Sequence, residues 1–260
     1  MGVINVTPDS FSDGGTLMTP DAVAARAAEM AAQGADWLDV GGESARPGAQ
    51  PVTEADELAR VIPAIVAIRT RCDLPLSVDT VKPAVARAAM AAGATMWNDV
   101  AALGAAPESL ETAVALGCEI VLMHMRGEPA SMQDDPRYDD VLAEVTHFLA
   151  DRARAAVAAG VAPGRIRLDP GLGFGKTLAH NLALLRGLER IVALGFPVVV
   201  GASRKGMIRA LDPTAKDPGD RLGGSLAIAL AAARAGAAMV RVHDVRATVQ
   251  ALVVDAAIHG

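Results

Sequence analysis

Aromatic residues are scarce in this chain: four Phe, two Trp and one Tyr, 3% of 260 residues. Stacking on bases has little to draw on, and with a formal charge of −6 the composition argues against a general nucleic-acid binder. It leaves room for an anionic small molecule, because a local cluster of cations outvotes the global sign. Cysteine is also rare. Cys72 and Cys118 form no CxxC or Cys/His spacing, which argues against zinc and makes a reduced, cytoplasmic setting the expectation. Long apolar runs are missing. The most apolar stretch, Leu222 to Ala233, ends at Arg234 and is too short to span a bilayer. No basic segment precedes an apolar one at the MGVINV start, so no signal peptide and no membrane partner are expected. With no linker, low-complexity tract or composition break, residues 1–260 read as one domain.

What the chain has is Ala, Val, Leu and Ile in a repeating order. Short β-rich runs bounded by Gly, Pro or Asp predict strands at Gly2–Val6, Trp37–Gly41, Leu76–Asp79, Met96–Val100, Glu119–Met123, Arg165–Asp169, Pro197–Gly201 and Met239–His243. Helical patterns lie between them, at Pro20–Gln33, Glu54–Arg71, Lys82–Ala92, Glu108–Leu116, Tyr138–Ala159, Leu178–Ala193, Asp220–Ala235 and Arg246–Ile258. Thr19–Pro20 and Asp79–Thr80 read as helix starts. Gly34, Gly93, Gly117, Gly160, Gly195 and Gly236 stand where left-handed C-caps belong. Eight such units in one chain predict an α/β fold of the TIM (β/α)8 barrel type, with a doubly wound open sheet as the alternative.

The polar residues sit where this pattern delivers side chains to one rim. Along Met239-Val-Arg-Val-His-Asp244, alternation puts Arg241 and His243 on one face, toward the barrel axis. That pair suits a phosphate or diphosphate; the alternative is an ion pair with an acid on a neighbouring strand. Asp169 ends a strand ahead of a Gly-rich loop, Asp169-Pro-Gly-Leu-Gly-Phe-Gly-Lys176, whose spacing is not that of a P-loop. Phe174 in it is expected to be exposed. Asp79 and Asn98 end neighbouring strands and can hydrogen-bond a flat, nitrogen-rich heterocycle. Ser203 and Lys205, in Gly201-Ala-Ser-Arg-Lys205, stand at a strand end that opens a helix and suit a carboxylate or ring carbonyl. Two polar loops, Val6–Gly15 and Gly41–Gly48, read as lids on the same face. Arg241→Ala is expected to weaken an anionic substrate while sparing folding.

The strings GVINVTPDSFSDGG, LDVGGESARPGA, SVDT-x-KP, WNDV, LMHMRG, DPGLGFGK, GASRK and RVHDV, in this order, resemble the dihydropteroate synthase family over essentially the whole chain. The resemblance implies a TIM barrel that condenses 6-hydroxymethyl-7,8-dihydropterin diphosphate with 4-aminobenzoate, through diphosphate loss and a pterin cation. It implies a pterin pocket of Asp79, Asn98, Asp169 and Lys205, with Met123 among the substrate contacts. It implies a diphosphate site of Arg241, His243 and Asn5, with Asn5 also the ligand of a Mg2+ cofactor. Asp13 and Arg46 belong to the two mobile loops. Phe11, Pro47, Phe174 and Ser203 wall the aminobenzoate pocket. A homodimer is also implied.

The chain departs from the family pattern at Ala45, Gly206 and Ala101–Ala102, where Thr, Ser and Ser–Gly are usual. Ala45 and Gly206 fall near the implied diphosphate and aminobenzoate sites. They read as lineage drift or as the mark of a sulfonamide-insensitive variant. A pterin-dependent methyltransferase and a catalytically dead pterin-binding barrel are the competing readings. VTPDSFSDGG and SRK speak against the first, and Lys205, Arg241 and His243 against the second.

Overall fold

A computed structural model describes residues 1–7, 19–44, 46 and 48–259. Strands and helices alternate along it: β1 (Gly2–Asn5), α1 (Pro20–Ala32), β2 (Leu38–Gly41), α2 (Glu54–Arg69), β3 (Leu76–Asp79), α3 (Pro83–Ala91), β4 (Met96–Asp99) and α4 (Ser109–Leu116). There follow β5 (Glu119–Met123), α5 (Val141–Ala159), β6 (Ile166–Asp169), α6 (Leu178–Arg186), α7 (Leu188–Val192), β7 (Val199–Val200), α8 (Gly206–Leu211), α9 (Leu222–Arg234), β8 (Met239–Val240) and α10 (Val245–His259).

The strands are all parallel. β1 to β6 form one continuous sheet in sequence order and β7 pairs with β8. Two bridges close the ring, Leu168 to Val198 and Gly2 to Val242. Backbone bonds support them: Leu168 N–H to Pro197 C=O at 2.9 Å, and Val3 N–H to Val242 C=O at 3.0 Å. The result is the closed (β/α)8 barrel rather than the open sheet.

Alternation along each strand separates two cores. Leu38, Val40, Val78, Ile120, Leu122, Ile166 and Leu168 face outward, and Val61, Ile65, Ile68, Val145 and Leu149 of the helices close over them; all join one buried cluster. Met1, Met96, Val121 and Val199 form a second cluster, with Trp37 and Met239 packed against it. These six lie on the opposite strand faces, so they plug the barrel interior. Beside Val121 and Met96, their cross-strand partners Arg167 and Glu119 form an ion pair, and Arg167 lies 5.5 Å from the Trp37 ring. With the interior filled, polar chemistry is confined to the carboxyl-terminal rim.

Local signals explain most boundaries. Thr19 accepts from Ala22 N–H at 3.3 Å, Thr53 from Asp56 N–H at 3.1 Å and Asp140 from Ala143 N–H at 3.0 Å, each an N-cap. All six glycines expected at C-caps have positive φ. Three expectations are corrected. The third helix begins at Pro83, not at Asp79–Thr80, because Thr80 Oγ1 accepts from Lys82 N–H at 3.1 Å and forms a turn instead. The helix expected from Leu178 to Ala193 breaks at Gly187, where a Cβ would collide with Leu142 of α5. β7 and β8 have two residues each rather than five, although Arg241 N–H still reaches Val200 C=O at 2.9 Å.

Candidate active site

Register places the site. Asn5, Gly41, Asp79 and Asn98 are successive cross-strand partners on β1 to β4, so they occupy one layer at the top of the barrel. Met123 pairs with Asp169 across β5 and β6. Gly41 carries no side chain in this layer, and a Cβ there would sit 3.7 Å from Asn5 Oδ1 and 3.9 Å from Asp79 Oδ2. Gly201, after β7, lies against the Arg241 side chain, where a Cβ would sit 3.8 Å from Arg241 Cβ and Cδ.

Arg241 makes the central contacts. Its Nε donates to Asp39 Oδ2 at 2.6 Å and its Nη2 to Asp79 Oδ2 at 2.9 Å. The ion pair with neighbouring-strand acids is therefore present. Arg241 nevertheless remains 21% exposed and lines the cavity above. Burial opposes its charge, but Asp39 and Asp79 outweigh that, and its pKa lies above the ordinary arginine value. Because Arg241 neutralises the wholly buried Asp39, Arg241→Ala would also strand a buried charge. The expectation that folding is spared is corrected on that ground.

The cavity has a volume of about 700 Å³. Asn5, Asp79, Phe174, Ser203, Lys205, Arg241 and His243 line it, and Arg46 borders it from the loop after β2. Asn98, Asp169 and Met123 are buried at the same strand ends, next to its lining residues. Phe11, Asp13, Ala45 and Pro47 lie outside the described residues.

Burial sets the protonation of these groups. It pushes Asp79 up to about 7, against the pull of Arg241. Asp169 is raised for the same reason, against Lys205. Lys205 is lowered to about 8 by burial, partly offset by Asp169. His243 is lowered to about 3 by burial and then by Arg241 and Arg204, so its imidazole is neutral at pH 7. Its Nδ1 lies 3.1 Å from Ser203 Oγ, and Ser203 Oγ also accepts from His243 N–H at 3.2 Å. When that hydroxyl donates to Nδ1, the ring proton sits on Nε2. Ser203 thus serves His243 as much as any substrate.

The loop after β6 forms the opposite wall. Asp169 Oδ1 accepts from Gly171 N–H at 2.7 Å, and Lys205 Nζ donates to Leu172 C=O while lying 4.3 Å from the Phe174 ring centre. Phe174 is consequently half-buried, not exposed. Lys176, 3% exposed, donates to the carbonyls of Gly171 at 2.9 Å, Phe174 at 3.0 Å and His124 at 3.2 Å. Its Nζ also lies 2.9 Å from His124 Nδ1. Burial lowers Lys176 to about 7 and His124 to about 3.

Sequence comparison bears on this geometry. The Pterin binding enzyme family matches residues 1–243. Dihydropteroate synthase of Escherichia coli strain K12 is 47% identical over 252 residues, 97% of this chain and 88% of that protein. This chain belongs to the dihydropteroate synthase family. Among solved members, Xanthomonas albilineans dihydropteroate synthase with 4-aminobenzoic acid superposes with a TM-score of 0.93 at 51% identity, over 100% of this chain and 92% of that one. The same organism's dihydropteroate synthase in complex with 7,8-dihydropteroate gives 0.89 at 48% identity, over 100% and 93%. The matches extend the synthase fold over every element described above.

Two residues of this synthase-family site escape a reading of strand ends. Asp39 lies two positions before Gly41, and the alternation that turns Gly41 inward turns Asp39 inward too. Lys176 has no such signal, because its partners are carbonyls of loops that fold onto it. Among the described residues no cluster of three or more His, Cys, Asp or Glu is arranged to hold a metal. No helix among them is long and apolar enough to cross a membrane.

Proposed function

We propose that this chain condenses 6-hydroxymethyl-7,8-dihydropterin diphosphate with 4-aminobenzoate, giving 7,8-dihydropteroate and diphosphate. The observation that carries the reading is the Asp79–Arg241 contact at 2.9 Å within one cavity. It joins an acceptor suited to an amino-imino edge to a cation suited to a diphosphate, so the carbon–oxygen bond between those two parts lies over their junction. Asp79, Asn98 and Asp169 hold the heterocycle, with Lys205 on its carbonyl side and Met123 beneath. Arg241 and the Nε2–H of neutral His243 receive the departing diphosphate, and the carbon–oxygen bond breaks with its electrons. The carboxylates of Asp79 and Asp169 stabilise the pterin cation. The arylamine nitrogen then bonds to that carbon and releases a proton, a step that needs no strong base. Phe174 supplies an apolar wall and Arg46 approaches from the second loop; Phe11, Pro47 and Asp13 are assigned to the same pocket and lids.

Magnesium suits an oxygen donor set completed by phosphate and water. Asn5, whose side chain borders the cavity beside Asp79, fits as its single protein ligand; when bound, the ion supplies further charge neutralisation to the leaving diphosphate. The proposed assembly is one pterin-binding domain per chain, paired as a homodimer in the cytoplasm. Val253, Val254 and Ile258 of α10, 64%, 52% and 68% exposed, are the apolar side chains such pairing would cover.

The test is one assay with both substrates and Mg2+, scored for dihydropteroate. Turnover is expected in the wild type, with loss of binding of a pterin analogue by calorimetry in Asp169→Asn. Absence of dihydropteroate from folded protein would overturn the reading. Repeating the assay with a sulfonamide decides whether the Ala45 and Gly206 departures carry insensitivity. Light scattering of the purified chain decides between monomer and dimer.

A further inference from the structure

Asp39 reaches no cavity, yet a single oxygen of its carboxylate ties the two halves of the site together. The residue is 0% exposed. Its Oδ2 receives Nε of Arg241 at 2.6 Å and stands 2.6 Å from Nη2 of the same guanidinium. The same Oδ2 receives Nδ2 of Asn98 at 3.4 Å. Oδ1 is buried with no hydrogen-bond partner among the described residues. All of its side-chain bonding is thus spent on two side chains, one on β4 and one after β8.

Building on the proposed reaction, we infer that Asp39 is a positioning residue that fixes the diphosphate-side guanidinium and the pterin-side carboxamide in one frame. Two consequences follow. With Nε held by Asp39 and Nη2 shared between Asp39 and Asp79, Nη1 is the donor of Arg241 that has no partner among the described residues. It is the edge left for a phosphate oxygen. With one amide hydrogen of Asn98 held below, its Oδ1 and remaining hydrogen present a fixed acceptor–donor pair to the heterocycle. A residue that acts on both sites at once should alter both affinities together, whereas a simple core acid should alter only stability.

Asp39 also repels negative charge on Asp79, which is faced by Arg241 as well as by Asp39, Glu57 and Asp99. Burial is the main cause that holds Asp79 protonated, and neutralising Asp39 removes one of the three acids that add to it. It also frees Arg241 to lean on Asp79. Both effects ease ionisation of Asp79, so the acid limb of the pH–rate profile should move to lower pH.

The experiment is Asp39→Asn, compared with wild type for turnover, for the pH profile and for calorimetric binding of a pterin analogue and of diphosphate separately. Expected are a tenfold or greater loss for both ligands, a KM for 4-aminobenzoate within twofold of wild type, and an acid limb displaced downward. Wild-type affinity for either ligand in the folded variant overturns the inference. Should Asp39→Asn fail to fold, the pair Arg241→Met and Asp39→Asn/Arg241→Met replaces it, since the double variant leaves no unpaired charge in the core. Adding Asp39→Asn there should weaken the pterin analogue severalfold through Asn98 alone; equal affinity overturns the inference. A wild type that binds the pterin analogue without making dihydropteroate would defeat the proposed reaction and still leave the Asp39 comparison decisive.

Discussion

Arg241 sits between two carboxylates and below an open cavity, so one side chain answers to the core and to the ligand. Its removal has two separable effects. Losing a charge-assisted contact to diphosphate should cost ~2–3 kcal/mol in kcat/KM. Leaving Asp39 buried and unpaired should cost ~3 kcal/mol or more of folding stability. The expected outcome for Arg241→Ala is therefore a variant weakened in both respects, and urea titration beside steady-state kinetics measures the two. Equal stability of variant and wild type would contradict the second effect. His243 contrasts with Arg241. Being neutral, it contributes no net charge, so in the proposed reaction the cationic pull of the protein on diphosphate falls to Arg241.

The loops after β5 and β6 behave as one element. Gly171, at φ 66°, faces the His124 carbonyl so closely that a Cβ would run into it, and Gly175, at φ 61°, faces the Arg126 carbonyl in the same way. Lys176 binds carbonyls from both loops. Gly171→Ala combines a disfavoured φ with a backbone collision, and should lower stability by ~2 kcal/mol or more while displacing Phe174. Chemical denaturation and the affinity for 4-aminobenzoate are the two readouts, and a variant normal in both would show that the loops move apart freely. Much of this scale was legible beforehand. Strand ends put Asp79, Asn98, Asp169, Arg241 and His243 at one rim, and C-cap glycines marked the helix ends. Lys176, Gly187 and the half-buried state of Phe174 were not legible, because each depends on how close two segments distant in sequence come to rest. Asp39 was within reach of strand alternation but stands one inward position below the rim.

Whole-molecule stability should follow the buried bases. Lys176 and Lys205 are lowered to about 7 and about 8, well below the unfolded lysine value of ~10.4. Between pH 8 and pH 9, above the value of about 7 at which Asp79 opposes them, the unfolded chain therefore binds more protons than the folded one, and stability should rise with pH. The slope should approach ~1.4 kcal/mol per pH unit for each lysine fully neutral in the fold. Lys176→Met should reduce it by roughly half. Urea midpoints across that window provide the check, and a flat wild-type curve would contradict the neutral lysines. Below pH 6.5 the signs oppose. His124 and His243, both at about 3, favour the fold less as pH falls, while Asp79 and Asp99, raised to about 7 and about 6, favour it more.

The β7–β8 pair meets the remaining strands through one bridge on each side. That makes it the seam of the barrel, the place where amide hydrogens should exchange soonest with solvent deuterium through partial opening. Yet Arg241 and His243 follow β8, whereas Asp79 and Asn98 stand across the ring on β3 and β4. A ligand gripping both sides would act as a clasp over the weakest join. Slower deuterium uptake at Val199–Val200 and Met239–Val242 on saturation with a pterin diphosphate analogue, with little change at β2 and β3, is the expected signature.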